Sequence, residues 1–167
     1  MKRTLTAASE NEVQATIEYT FRNMGACCWG YPSIVASGPN ATTLHYERND
    51  APIARNGLML TNVGAEVDGY TADVTRTYPA NGKFSDDQRA IYSAEPGHDA
   101  PRHSLEADER QSRRSPRTRA AQTRPDLEER SAPGALVPIS HHIGLDVHDV
   151  TEPGFAEGMV VTKEPGI

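Results

Sequence analysis

Between residues 95 and 133 the chain contains no Ile, Val, Phe, Met, Tyr or Trp, and Leu105 and Leu127 are the only large aliphatic side chains. The same 39 residues hold eight of the chain's fourteen arginines and eight of its 23 acids. So polar a stretch cannot bury enough apolar surface to offset the entropy of ordering it. It is expected to be disordered, or at most a solvated helix over part of its length. Any core must then be built from what lies on either side. The expected organisation is residues 1–94 and 136–167 as two parts of one domain, with 95–135 between them. Charges in the central block are balanced, which does not suit a basic nucleic-acid-binding tail.

The remaining composition narrows the class. A length of 167 residues is enough for one domain with a real core. A formal net charge of −6 argues against a nucleic-acid partner. No apolar run approaches the roughly 18 residues needed to cross a bilayer. Met1, Lys2 and Arg3 are followed by residues 4–9, a run too short and too polar for a secretion signal. The two cysteines, Cys27 and Cys28, are adjacent and cannot readily bridge, so no disulfide framework is expected. These features together predict a reduced, cytoplasmic protein with no membrane attachment.

Local signals outline an α+β pattern. Ser9 followed by Glu12 forms a capping box; Val13, Ile17, Phe21 and Met24 then recur at helical spacing, and Gly25 can close the helix. Residues 33–37 are β-prone and end at the Gly38-Pro39-Asn40 turn, and 42–46 reads as a second short strand. Residues 58–63 and 70–78 form two further strands across the Asp68-Gly69 loop. Ser85 is placed to cap a helix running to about Ala94. After the central block, 144–150 and 158–162 both read as short strands. Helix followed by antiparallel strands does not alternate as βαβ units do, which argues against a Rossmann-type sheet.

Hairpin geometry brings polar groups together. With Asp68-Gly69 as the loop, Val67 faces Tyr70 and paired positions sum to 137, so Asn62 lies opposite Thr75 and Asp73 opposite Gly64. Asn62 and Asp73 then share a face diagonally and could reach a common ion. A solvent-facing aspartate is the competing reading. Further on, the run Ser140-His141-His142-Ile143-Gly144-Leu145-Asp146-Val147-His148-Asp149 places two histidines seven residues apart, with Glu164-Pro165-Gly166-Ile167 behind it. Clustered imidazole and carboxylate suit Mn, Zn, Fe or Co, although single histidines in such runs also serve as hydrogen-bonded structural residues.

Several runs then make the sequence recognisable. They are Tyr31-Pro32-Ser33-Ile34-Val35 with Leu44-His45-Tyr46, and Gly64-Ala65-Glu66 with Gly69-Tyr70-Thr71-Ala72-Asp73-Val74-Thr75-Arg76-Thr77-Tyr78. The His141 run follows, and then Glu157-Gly158-Met159-Val160-Val161-Thr162 with Glu164-Pro165-Gly166. In this order they resemble the catalytic domain of the Xaa-Pro aminopeptidase and prolidase branch of the pita-bread metallopeptidases. The resemblance implies an incomplete pita-bread fold, an antiparallel sheet with flanking helices. It also implies hydrolysis of the peptide bond before proline by a hydroxide activated between two divalent ions, manganese foremost. By position, Asp73, His141 and Glu164 match metal ligands, Glu164 doubling as the base. His45 and His148 match histidines that orient the proline peptide and stabilise the tetrahedral intermediate.

Departures from the family pattern are equally specific. Asn62 stands where the family has its first aspartate ligand, offering one neutral oxygen in place of a carboxylate. Val137 replaces a further pocket histidine. The final glutamate ligand and the family's N-terminal domain are expected to be absent, so the chain reads as truncated. At most one weakly held ion is expected. Because the family's interval is ordered and apolar where 95–133 is not, that block also reads as a frameshifted stretch of a GC-rich gene. Three readings stay open: an Xaa-Pro aminopeptidase acting on peptides with proline in second position, an Xaa-Pro dipeptidase, and an inactive fragment of the same fold. Homo-oligomers are common in the family, and no interface is legible in this sequence.

Overall fold

The computed structural model describes residues 2–94, 141–149 and 157–162. The expected central block, Val137 and Glu164 lie outside the described residues. Two compact units are distinguished: Met1–Ser85 with Ile143–Asp149, and Asp86–His142 with Val150–Ile167. No helix among the described residues is long and apolar enough to cross a membrane.

In the first unit, helix α1 spans Glu10–Asn23. Ser9 is its extended N-cap, and the Ser9 hydroxyl accepts from the Glu12 amide at 3.4 Å. The Glu12 carboxylate turns to Arg3 at 3.0 Å, so the hydroxyl half of the capping box is used and the carboxylate is spent on an ion pair. At the other end Gly25 takes φ +99°, with Gly25 N–H bonded to the Arg22 carbonyl and Ala26 N–H to that of Phe21. This is a Schellman closure, which needs a residue tolerant of the left-handed conformation. Val13 is buried and Ile17 packs on the core, but Met24 is 82% exposed. The apolar stripe therefore ends a turn earlier than the spacing predicts, because Met24 is the C-cap and already leaves the helix.

Six strands follow: β1 (Cys28–Trp29), β2 (Ile34–Ser37), β3 (Leu58–Val63), β4 (Ala65–Val67), β5 (Tyr70–Thr71) and β6 (Val74–Pro79). They make two antiparallel three-stranded sheets, ordered β2-β3-β6 and β1-β4-β5. Asp68 and Gly69 both have positive φ (53° and 82°), as a two-residue type I′ turn requires. Val67 pairs with Tyr70 and Asn62 with Thr75, as the turn predicts. The single long hairpin is nonetheless divided. Strand pairing stops at Gly64 and again across Ala72 and Asp73, then resumes in the same register. A Cβ on Gly64 would overlap the Ala72 carbonyl and meet Tyr31 Cε1 at 2.9 Å, so glycine is required for the chains to pass this closely.

Met59, Val35, Val13, Ile53, Ala7 and Ala80 form the buried core under α1 and the β2-β3-β6 sheet. Two of the buried polar side chains, Glu10 and Asn49, close its edge. Glu10 is fully buried, and its carboxylate accepts from Ser37 N–H (2.7 Å), Asn40 Nδ2 (3.1 Å), the Tyr46 hydroxyl (2.8 Å) and Ala51 N–H (3.0 Å). Asn49, at φ 48°, accepts from Val35 N–H at 2.8 Å and donates to the Ser33 carbonyl at 2.7 Å. Both line the outer edge of β2, and their side chains replace a neighbouring strand there. Such satisfaction is what makes a buried carboxylate tolerable. Burial first, and the Glu10 bond second, push the Tyr46 hydroxyl up to about 12.

The strand expected over 42–46 does not form. Instead a 3-10 turn runs Gly38–Thr42, and His45 adopts φ 52°. Drawing Tyr46 inward to Glu10 requires the chain to turn there, which an extended strand cannot do. Residues 144–149 are likewise a loop in place of a strand. Leu145 N–H bonds to Asp149 Oδ2 at 3.0 Å, and a Cβ on Gly144 would collide with that carboxylate. Side-chain capping by aspartate competes with ladder formation.

In the second unit, helix α2 spans Asp86–Ala94, beginning just after Ser85 as expected. The strand predicted at 158–162 reduces to one bridge between Val161 and His142, preceded by a turn at Gly158, φ 91°.

Candidate metal and peptide site

Asp73 sits in the gap between β5 and β6, half-buried, and is not a strand residue. The Tyr31 hydroxyl donates to its Oδ1 at 2.9 Å. Gly64 makes this possible, since the Tyr31 ring packs where a side chain would otherwise stand. The sequence gives Tyr31 no role of its own; its hydrogen bond to Asp73 joins residues 42 positions apart and emerges only in the fold. Asn62 lies one pairing step into β3, and its Nδ2 donates to Thr75 Oγ1 at 2.8 Å. With the amide nitrogen so engaged, Oδ1 is the atom Asn62 can offer a cation.

The loop carrying His148 is fastened beside this gap. Thr71 N–H donates to the Gly144 carbonyl at 2.8 Å, and Thr71 Oγ1 to the same oxygen at 3.1 Å. Thr71 is two residues before Asp73. The His148 ring comes to 6.3 Å from that of His45, tilted by 43°, both side chains being exposed. Two histidines far apart in sequence are thus paired within the first unit. Left-handed backbone at His45, where histidine is tolerated better than most residues, turns it out of the chain path.

His141 belongs to the second unit. Its backbone is clamped to Thr162, with His141 N–H to Thr162 Oγ1 at 3.0 Å and Thr162 N–H to the His141 carbonyl at 2.8 Å. Its Nδ1 lies 2.9 Å from the His142 carbonyl. A carbonyl only accepts, so Nδ1 is the donor of this bond, the kind of backbone bond that orients the ring of a metal-ligating histidine. In the first unit, a carboxylate oxygen of Asp73 and the neutral Oδ1 of Asn62 are donor types found around divalent ions of the Mn, Co or Zn kind, and in the second unit so is the His141 imidazole.

Two antiparallel sheets, one of them packed against α1, are the part of a pita-bread aminopeptidase fold that solved structures of that class share with this chain. The chain is structurally similar to aminopeptidase PepP of Pseudomonas aeruginosa, with a TM-score of 0.75 and 34% identity, covering 98% of this chain and 43% of that one. It is equally similar to a zinc-substituted Escherichia coli aminopeptidase P in complex with product (TM-score 0.75, 30% identity, 98% and 43% covered). The profile of metallopeptidase family M24 matches residues 1–96, more than half of the 167, and the chain belongs to that family. Among curated relatives it is 34% identical to the Xaa-Pro aminopeptidase of E. coli, over 95% of this chain and 41% of the relative. It is 32% identical to the mitochondrial intermediate cleaving peptidase 55 of Arabidopsis thaliana, over 95% and 34%. The chain thus spans well under half the length of these relatives.

Proposed function

We propose that this chain is a metal-dependent aminopeptidase of the Xaa-Pro type, acting on peptides with proline in second position. Pairing of His45 with His148 in the same unit as the Tyr31-held Asp73 is the observation that carries this reading. Asp73 serves as a carboxylate ligand whose orientation Tyr31 fixes, and His141 as an imidazole ligand through Nε2. Glu164 serves as a further ligand and as the group that accepts and returns the proton. His45 and His148 orient the proline peptide, and their N–H groups stabilise negative charge on the scissile carbonyl oxygen. When bound, a divalent ion, manganese foremost, supplies Lewis-acid polarisation and a nucleophilic water at neutral pH. A cytoplasmic location and homo-oligomeric assembly complete the proposal.

Asn62 favours a second reading, an inactive member of the same fold. A neutral amide in place of a carboxylate weakens both charge neutralisation and bidentate binding, so one ion at most is held. Equilibrium metal analysis with manganese, cobalt and zinc, alongside hydrolysis of Xaa-Pro-Xaa peptides and Xaa-Pro dipeptides, separates these readings. Metal-dependent release of the first residue from the longer peptides supports the aminopeptidase. Turnover confined to dipeptides points to a dipeptidase, and peptide binding without turnover to the inactive form. Chain without metal, turnover or peptide binding overturns the proposal.

A further inference from the structure

Cys27 and Cys28 have no part in the peptide site, yet their side chains converge with a third donor. Cys28 is paired directly opposite Glu66 in the β1-β4 ladder, so these two side chains share a face. Cys27 precedes the strand, and its N–H also bonds to the Glu66 carbonyl, at 3.2 Å. Two residues therefore oppose one, in the manner of a β-bulge, which re-aims a side chain that strand alternation would send to the other face. The Cys27 Sγ stands 3.1 Å from the Cys28 Sγ and 3.3 Å from Glu66 Oε1. Arg22, from the last turn of α1, holds the Cys27 carbonyl at 2.6 Å and anchors the bulge to the helix. Among the described residues, this is the group of three His, Cys, Asp or Glu side chains whose donor atoms all lie within 4.8 Å of one another.

We propose that Cys27, Cys28 and Glu66 form a mononuclear site for a thiophilic divalent cation, zinc or cadmium, separate from the residues assigned to peptide hydrolysis. Two thiolates and one carboxylate are three protein ligands that leave a fourth position for water. A tetrahedral ion with metal–sulfur bonds of about 2.3 Å sets its sulfurs about 3.8 Å apart. Cys27 is exposed and can swing from 3.1 Å to that spacing. Closing to a disulfide is less favourable, because Cα atoms of adjacent residues are about 3.8 Å apart and ordinary disulfides need about 4.4–6.8 Å.

The test is a cadmium titration of the reduced 167-residue chain, followed by sulfur-to-cadmium charge-transfer absorption. One equivalent should saturate the band without changing the oligomeric state. Cys28→Ser should weaken cadmium binding roughly a hundredfold and Glu66→Gln roughly tenfold, while Asp73→Ala should leave the band unchanged. Circular dichroism of each variant confirms folding. Absence of the band, a band indifferent to Cys28→Ser or to Glu66→Gln, or saturation at half an equivalent with metal-bridged dimers would each overturn the site.

Discussion

The two sheets of the first unit divide its work. The β2-β3-β6 sheet lies under α1, carries Met59 and Val35 at zero exposure, and has its open edge closed by Glu10 and Asn49. In contrast, the β1-β4-β5 sheet is short and leaves Trp29, Val67 and Tyr70 42%, 51% and 65% exposed. Yet the thiol cluster and the Thr71 clamp on the His148 loop are both on this weaker sheet. One sheet carries the buried core, and the other, with the Gly64 and Asp73 gap between them, carries groups to which chemistry is proposed. Stability and reactive groups are separated by a break of a few residues in what the turn alone would make one ribbon.

That separation can be broken by experiment. Glu10→Ala should have the largest effect, about 4 kcal/mol lost in urea unfolding, because four donors, two of them buried and two half-buried, lose their acceptor together. A loss near 1 kcal/mol would show that the buried cluster is not what holds this sheet. Next, Gly64→Ala should cost about 3 kcal/mol, since the backbone carbonyl of Ala72 cannot step aside as a side chain could. It should also move Tyr31 off Asp73, so manganese affinity should fall with the melting temperature. Unchanged affinity would remove Tyr31 from the site.

Tyr46→Phe should cost about 1.5 kcal/mol at neutral pH, the worth of a hydrogen bond to a charged acceptor. Its pH dependence sharpens the test. The folded state keeps the Tyr46 proton up to about 12, whereas an unfolded tyrosine releases it near 10. This contribution is therefore full below about pH 10 and is lost as pH rises toward 12. The stability difference between the natural chain and Tyr46→Phe should shrink across that window, and a constant difference would contradict it. Smallest should be Glu66→Ala on the exposed sheet, under about 0.5 kcal/mol by thermal melting, as for surface positions without buried partners. A larger loss would mean that the β1-β4-β5 sheet also carries stability.

What was legible in the sequence shares a physical character. Ser9, Gly25 and the Asp68-Gly69 turn act through neighbours within a few residues, and each appears where its chemistry demands. The register follows from that turn, so Asn62 opposite Thr75 was derivable by counting. The misses depend on partners distant in the chain. Nothing local marks Glu10 as buried, since it reads as an ordinary first-turn acid until Tyr46 and Ala51 arrive to satisfy it. Residues 42–46 have strand-like composition, but that same pull on Tyr46 overrides it. Asp149 similarly converts 144–149 into a loop by capping Leu145. For the site, the motif residues were identifiable, whereas the pairing of His45 with His148 and the Tyr31 bond to Asp73 required the fold.

The closed edge of β2 has a further consequence, for association. An edge strand normally offers a row of unpaired amides on which another extended chain can dock. Here the Val35 and Ser37 amides are already taken by Asn49 and Glu10, so an incoming strand finds its hydrogen-bonding positions filled. Losing Glu10 would therefore uncover a template as well as weaken the core. Refolding of such a variant should end in β-rich aggregates whose amount grows with protein concentration.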